Sequence, residues 1–262
     1  MKNKGILVLG FFSLGVLLMA SCATANENVA TRKTGDVKVH TYSADGANAV
    51  VVEHNRLVII DSFGGSEADS GFKAFVDSLN KPVDRIFISH TDDHHWINID
   101  KLFPNTDLYS AEAAAIKATP QGTSLPVKSL PAGSIDIDGV QYEFVTYSDL
   151  GSWVIKLPAQ KIAMVHHLGY AEFHVPLPPL DTRLDILKGL QKEGYTWFIG
   201  GHGTPMEAGR FISEVEGYNN FVKTTVAAYE TPAEAKEAIA ARYPSWGGAY
   251  LLDVFLPLFY TN

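Results

Sequence analysis

The spacing of hydrophobic and polar positions changes several times along the chain. From Val37, β-branched and apolar residues come in short runs, 37–42, 48–53 and 56–61, bounded by Gly, Asn or Asp. Runs of this length predict strands, and His54-Asn55 predicts a tight turn between the last two. Over 67–80 the period lengthens: Phe72, Phe75, Val76 and Leu79 share one helical face, and Pro82 ends the helix. Residues 83–89 return to a strand pattern, followed by a short helix at 99–103 and an alanine-rich stretch at 111–118. A meander of strands is expected over 134–138, 141–145, 152–157 and 161–165, then a helix at 181–194 and a last strand at 196–199. Residues 211–229 and 232–243 read as helices, closed by an aromatic tail.

Strands, helix and a polar strand end thus occur twice. Two such halves pack with sheets inside and helices outside, so the expected fold class is α/β, a four-layer αββα sandwich with C-terminal helices. The strand ends carry the chemistry. Ser89-His90-Thr91-Asp92-Asp93-His94-His95-Trp96 follows an apolar run, His166-His167 ends the meander, and Gly201-His202-Gly203 follows the last strand. One histidine in a polar turn is ordinary; three histidine-bearing strand ends at one edge of a sandwich supply the donors that zinc or iron requires. Neighbours on a strand point to opposite faces, so only one of His166 and His167 is expected to reach the site. Trp96 either walls the pocket or joins the core. His174, in the proline-rich loop 170–179, either faces substrate or lies on the surface, the second being the reading preferred for a lone histidine.

Before the first strand the pattern differs. Lys2 and Lys4 precede an apolar run over 6–20 and then Ser21-Cys22, after which the chain turns polar. This order reads as a signal peptide over 1–21. The small residues before Cys22 resemble a bacterial lipobox, which implies lipid attachment at Cys22 and a membrane-anchored lipoprotein of the cell envelope, in the outer membrane facing the periplasm. Residues 22–35 read as a tether and 36–262 as one domain. Cys22 is the only cysteine, so the domain has neither an internal disulfide nor a thiolate ligand, and any metal must be held by nitrogen and oxygen. With 46% hydrophobic residues the chain can bury one large core. A net charge of −8 without a basic cluster argues against nucleic acid as a partner. The tail after Tyr243 reads chiefly as packing for the last helix, with a cover for the site or a dimer surface as alternatives; the oligomeric state is left open.

The order of apolar strand, Asp61-Ser62-Phe63-Gly64, helix, strand, histidine cluster, meander, His166-His167, helix and Gly201-His202-Gly203 resembles the metallo-β-lactamase fold superfamily over nearly the whole mature chain. That family's pattern is H-x-H-x-D-H, a later His in a turn, an Asp after an early strand and a final Gly-His-Gly. His90 and His95 match the first and last His of the motif, His202 the terminal His, and Asp61 the early Asp. Asp92 stands at the second His and His94 at the Asp, so the motif reads H-x-D-x-H-H. Ser148, beside Asp149, stands where the turn carries its His, and His167, or less readily His166, replaces the Asp that bridges two metals. An imidazole offers one lone pair where a carboxylate offers two oxygens. One divalent cation is therefore expected, zinc first with iron or manganese as alternatives, held by His94, His95, His167 and His202, with His90 and Asp92 turned to its water or substrate; two cations are the alternative. The resemblance implies a metal-dependent hydrolase of a small ester, lactone, thioester or amide, β-lactams included, in which Asp92 or Asp93 takes the proton of the attacking water. An iron- or manganese-dependent redox enzyme and a non-catalytic metal- or ligand-binding lipoprotein are the other readings.

Overall fold

The β-branched runs build two sheets. In the first, strands lie side by side in chain order: β1 (Val29–Thr34), β2 (Val37–Ala44), β3 (Ala47–Glu53) and β4 (Leu57–Ile60), then, with helices between them, α1 (Ser66–Ser78), β5 (Val83–Phe87), α2 (Ile99–Leu102), β6 (Asp107–Ser110), α3 (Ala113–Ala118) and β7 (Val127–Ser129). Pairs from β1 to β4 are antiparallel; from β4 onward they are parallel, because each helix carries the chain back along the sheet. The second sheet is a meander of β8 (Gly133–Ile137), β9 (Val140–Tyr147), β10 (Ser152–Leu157) and β11 (Ile162–His166). After α4 (Leu180–Lys192), β12 (Trp197–Gly200) joins β11 in parallel, and β13 (Met206–Glu207) closes the edge. Helices α5 (Ala208–Ala228), α6 (Pro232–Arg242) and α7 (Leu252–Phe255) follow. This is a computed structural model, and it describes residues 28–118, 123, 126–130 and 133–260. The expected signal peptide over 1–21 and Cys22 lie outside the described residues.

Side-chain alternation explains the layers. On β3, Val50 and Val52 face the second sheet while Ala49 and Val51 face α1, so the strand is buried throughout. Val58, Ile60 and Phe87 meet Tyr142, Phe144, Trp153 and Ile155 between the sheets. Phe72 and Val76 of α1 pack on the outer face of the first sheet, and Leu184, Leu187, Phe211 and Val215 of α4 and α5 on that of the second. The order is helix, sheet, sheet, helix, the expected four-layer αββα sandwich. Tyr218, Val222, Ile239, Leu252 and Leu256 form a smaller core, against which the aromatic tail packs. Among the described residues no helix is long and apolar enough to cross a membrane.

One expectation needs correction. Within the tether expected over 22–35, residues Val29–Thr34 form a strand, β1 pairing with β2 from Val29↔Tyr42 to Thr34↔Val37, while 22–27 lie outside the described residues. Its polar residues have partners on the sheet edge, since Thr31 Oγ1 lies 2.8 Å from His40 Nδ1 and the Arg32 guanidinium lies over Trp197.

Candidate metal centre

Several strands end at the same edge, and each hands a polar side chain to it. Asp61 follows β4 with φ of 61°, its N–H donating to the Phe87 carbonyl at 2.9 Å. Its fully buried carboxylate accepts the Ser89 N–H at 2.8 Å and the Ser89 hydroxyl at 2.6 Å. Burial pushes Asp61 up to about 7 against the opposing effect of those two bonds. Past β5 the chain turns through a single 3-10 turn, Asp93–His95, which the Ser62 N–H fastens by donating to the His95 carbonyl at 2.6 Å.

Six histidines meet here. His90 Nε2 lies 3.0 Å from His166 Nε2 and 3.5 Å from Asp92 Oδ2, and His167 Nε2 lies 3.4 Å from the same oxygen. On the other side, His95 Nε2 lies 3.3 Å from His202 Nε2, with the His94 ring stacked on that of His202. The donors fall into three groups: His90, His166 and His167; His94, His95 and His202; and, between them, Asp61, His95 and His166. Ligands 2.0–2.1 Å from a tetrahedral ion stand about 3.3–3.4 Å apart. The observed separations are of that size, and His95 Nδ1 is buried with no hydrogen-bond partner among the described residues, so the donor set fits a divalent cation.

Electrostatics favour the ligand form. Burial first, and then the neighbouring histidines, hold His90, His95 and His166 well below the usual range; burial and His202 bring His167 down to about 3. His202 is lowered by burial to about 4, its bond to Gly46 opposing. A neutral imidazole has a free lone pair, which is what a cation binds.

The Gly201-His202-Gly203 turn shows why its residues are small. A Cβ on Gly201 would lie 2.7 Å from His166 Cε1, and Gly203, at φ of 75°, would drive one into the Ala171 carbonyl. Asn48 on β3 pins the turn, donating from Nδ2 to the Gly200 and Gly203 carbonyls at 3.0 and 2.8 Å. His202 Nδ1 lies 2.7 Å from the Gly46 carbonyl and donates to it, leaving Nε2 free to face His95.

The structure departs from the sequence reading at several candidates. His166 and His167 both reach the cluster. His166 ends β11 at φ of 38°, where the register with β12 slips, so strict alternation stops one residue early. Ser148 and Asp149 sit exposed on the 148–150 turn, and Asp149 belongs to none of the ligand groups. With both His166 and His167 present, His90 gains two nitrogen partners in one group. Trp96 is fully buried in the core under α1. His174 is buried rather than superficial, because Tyr218, Tyr243 and Trp246 close over it; its Nδ1 lies 3.3 Å from the Tyr218 hydroxyl. Asp93 lines a cleft beside His94. Asp61 as a potential ligand, and Ser89 and Asn48 as supports, escaped sequence reasoning, although an Asp at a strand end and a Ser directly before the motif were visible.

Comparison of folds settles the architecture. A metallo-β-lactamase from Pontibacter korlensis superposes with a TM-score of 0.56 at 19% identity, over 72% of this chain and 97% of that one. The fold is that of the metallo-β-lactamases. The DIM-1 metallo-β-lactamase aligns with a TM-score of 0.55 at 15% identity, covering 72% of this chain and 98% of its own. The apo chemotaxis sensor ODP from T. denticola also aligns, with a TM-score of 0.56 at 15% identity, over 72% of this chain and 93% of that one. No sequence-family model and no curated protein matches the chain. Identities this low carry the fold and not the activity.

Proposed function

We propose that this protein is a metal-dependent hydrolase of small carbonyl compounds, an ester, lactone, thioester or amide. The observation that carries the reading is the convergence of His90, His166, His167 and Asp92 at one point, with His94, His95 and His202 beside it. The two histidine groups share no residue, which supports up to two cations rather than the single one expected; nitrogen-rich sets of this kind suit zinc. A divalent cation would supply Lewis acidity and a water acidified toward about pH 7. Asp92, with 48% of its side chain exposed and its pKa raised by burial and by Asp93 against the effect of His94, is placed to accept a proton at the mouth of the cluster.

Two open clefts flank the cluster. One, of about 430 Å³, passes Gly46, Phe173, Thr204 and Gly247; the other, of about 290 Å³, passes Asp45, Phe63, Asp93 and His94. Among the described residues neither is lined by a lysine or arginine. That favours uncharged or cationic substrates over carboxylates, and so a neutral ester or lactone over a β-lactam acid. The same proposal keeps the protein at the bacterial cell envelope, lipid-anchored at Cys22, on the strength of its N-terminal sequence.

A second reading rests on His90, His167 and Asp92, which together make two histidines and a carboxylate facing one point, the set that suits iron redox chemistry. Anaerobic metal analysis with turnover of an ester and lactone panel separates the readings. Zinc with turnover supports the hydrolase, stoichiometric iron without hydrolysis the redox enzyme, and neither a binding protein.

A further inference from the structure

Ser89 has a single hydroxyl proton, and its surroundings decide where that proton goes. Asp61 Oδ2 lies 2.6 Å from Ser89 Oγ while Oδ1 already accepts the Ser89 N–H. With Asp61 ionised, the proton is donated to the carboxylate, and Oγ is left with lone pairs only. Two ring nitrogens face them: His90 Nδ1 at 2.9 Å and His166 Nδ1 at 3.2 Å. Each must be an N–H donor. Both imidazoles then carry their lone pair on Nε2, and those two atoms face one another at 3.0 Å. Two unprotonated nitrogens that close repel unless a positive charge sits with them.

We propose that Ser89 is the positioning residue of the cluster: one hydroxyl, oriented by Asp61, sets the tautomer of His90 and of His166 and turns both Nε2 lone pairs onto one point. The two rings come from different sheets, His90 after β5 and His166 at the end of β11, so Ser89 also fixes their relative placement across the sandwich. It does so from a buried position, Ser89 being 3% exposed. Partners of this kind typically change metal affinity 10–100-fold when removed. The proposal rests on the reading that the cluster holds a divalent cation.

The test uses the full chain and its Ser89→Ala and Ser89→Thr variants. Zinc affinity is measured by competition with a chromophoric chelator, and the ring tautomers of His90 and His166 by 15N chemical shifts in the zinc-loaded protein at about pH 8, where Asp61 is ionised. The expected result is Nδ1–H on both rings of the parent, an affinity roughly 10–100-fold weaker in Ser89→Ala with mixed tautomers, and recovery to within a few-fold in Ser89→Thr. Parent-like affinity and tautomers in Ser89→Ala overturn the proposal, and so does equal loss in both variants with tautomers unchanged. If Ser89→Ala does not fold, the parent shifts decide: Nε2–H on either ring overturns it. A parent that binds zinc but cleaves no carbonyl substrate defeats the hydrolase reading alone and leaves the tautomer assignment standing.

Discussion

Gly201 leaves no room for a methyl group beside His166, whose ring nitrogens would lie 3.0 Å from the new carbon. Gly201→Ala is expected to turn that ring away and weaken zinc binding by roughly tenfold or more, with helix content unchanged. Chelator competition and circular dichroism measure both, and parent-like affinity would show that His166 is not held as described. The lowered histidines make a second prediction. Below the unfolded value of 6.5 the unfolded chain binds protons that the folded, metal-free protein refuses, His202 down to about 4 and His167 to about 3. Asp61, raised to about 7, works in the opposite direction, but it is one group against five lowered histidines, so the stability of the metal-free protein is expected to fall as the pH drops through 6.5 toward 4, which melting curves at stepped pH would show; a flat profile across that range would contradict the burial argument. His90, His95 and His202 were legible in the sequence because they lie in the loops that follow strands whose pattern is clear. The joint arrival of His166 and His167 was not, because it depends on one left-handed residue that breaks alternation. Nor was the burial of His174, which depends on helices supplied far along the chain.

Among elements, legibility followed length. Helix α1 has enough turns for its apolar face to repeat, and the meander has enough alternation to place each strand. Strands β7 and β13 are three and two residues long, too short for any period to register. β1 was hidden differently: its polar residues match a tether in composition, and only the neighbouring β2 gives their backbone groups partners. Hydrogen exchange distinguishes the two descriptions. Alternate amides of Val29–Thr34 are expected to be protected through the ladder with β2, whereas exchange at free-chain rates along the whole segment would restore the tether.

At the scale of the whole molecule, the sandwich brings loops from both sheets to one edge, and its acidic surface sets the field that an approaching substrate meets. The N-terminal sequence predicts where it works: Cys22→Ser should move the protein from the membrane to the soluble fraction of cells, and unchanged partitioning would rule out lipid anchoring at that residue. The six-histidine cluster is the centre of the account, and its metal content tests it directly. The parent, His166→Ala and Ser148→Ala are each loaded with zinc, freed of excess and analysed for bound metal per chain. The account predicts at least one tightly held equivalent in the parent and in Ser148→Ala, and a clear loss in His166→Ala. A parent that retains no metal, or a His166→Ala variant that retains as much as the parent, would contradict it.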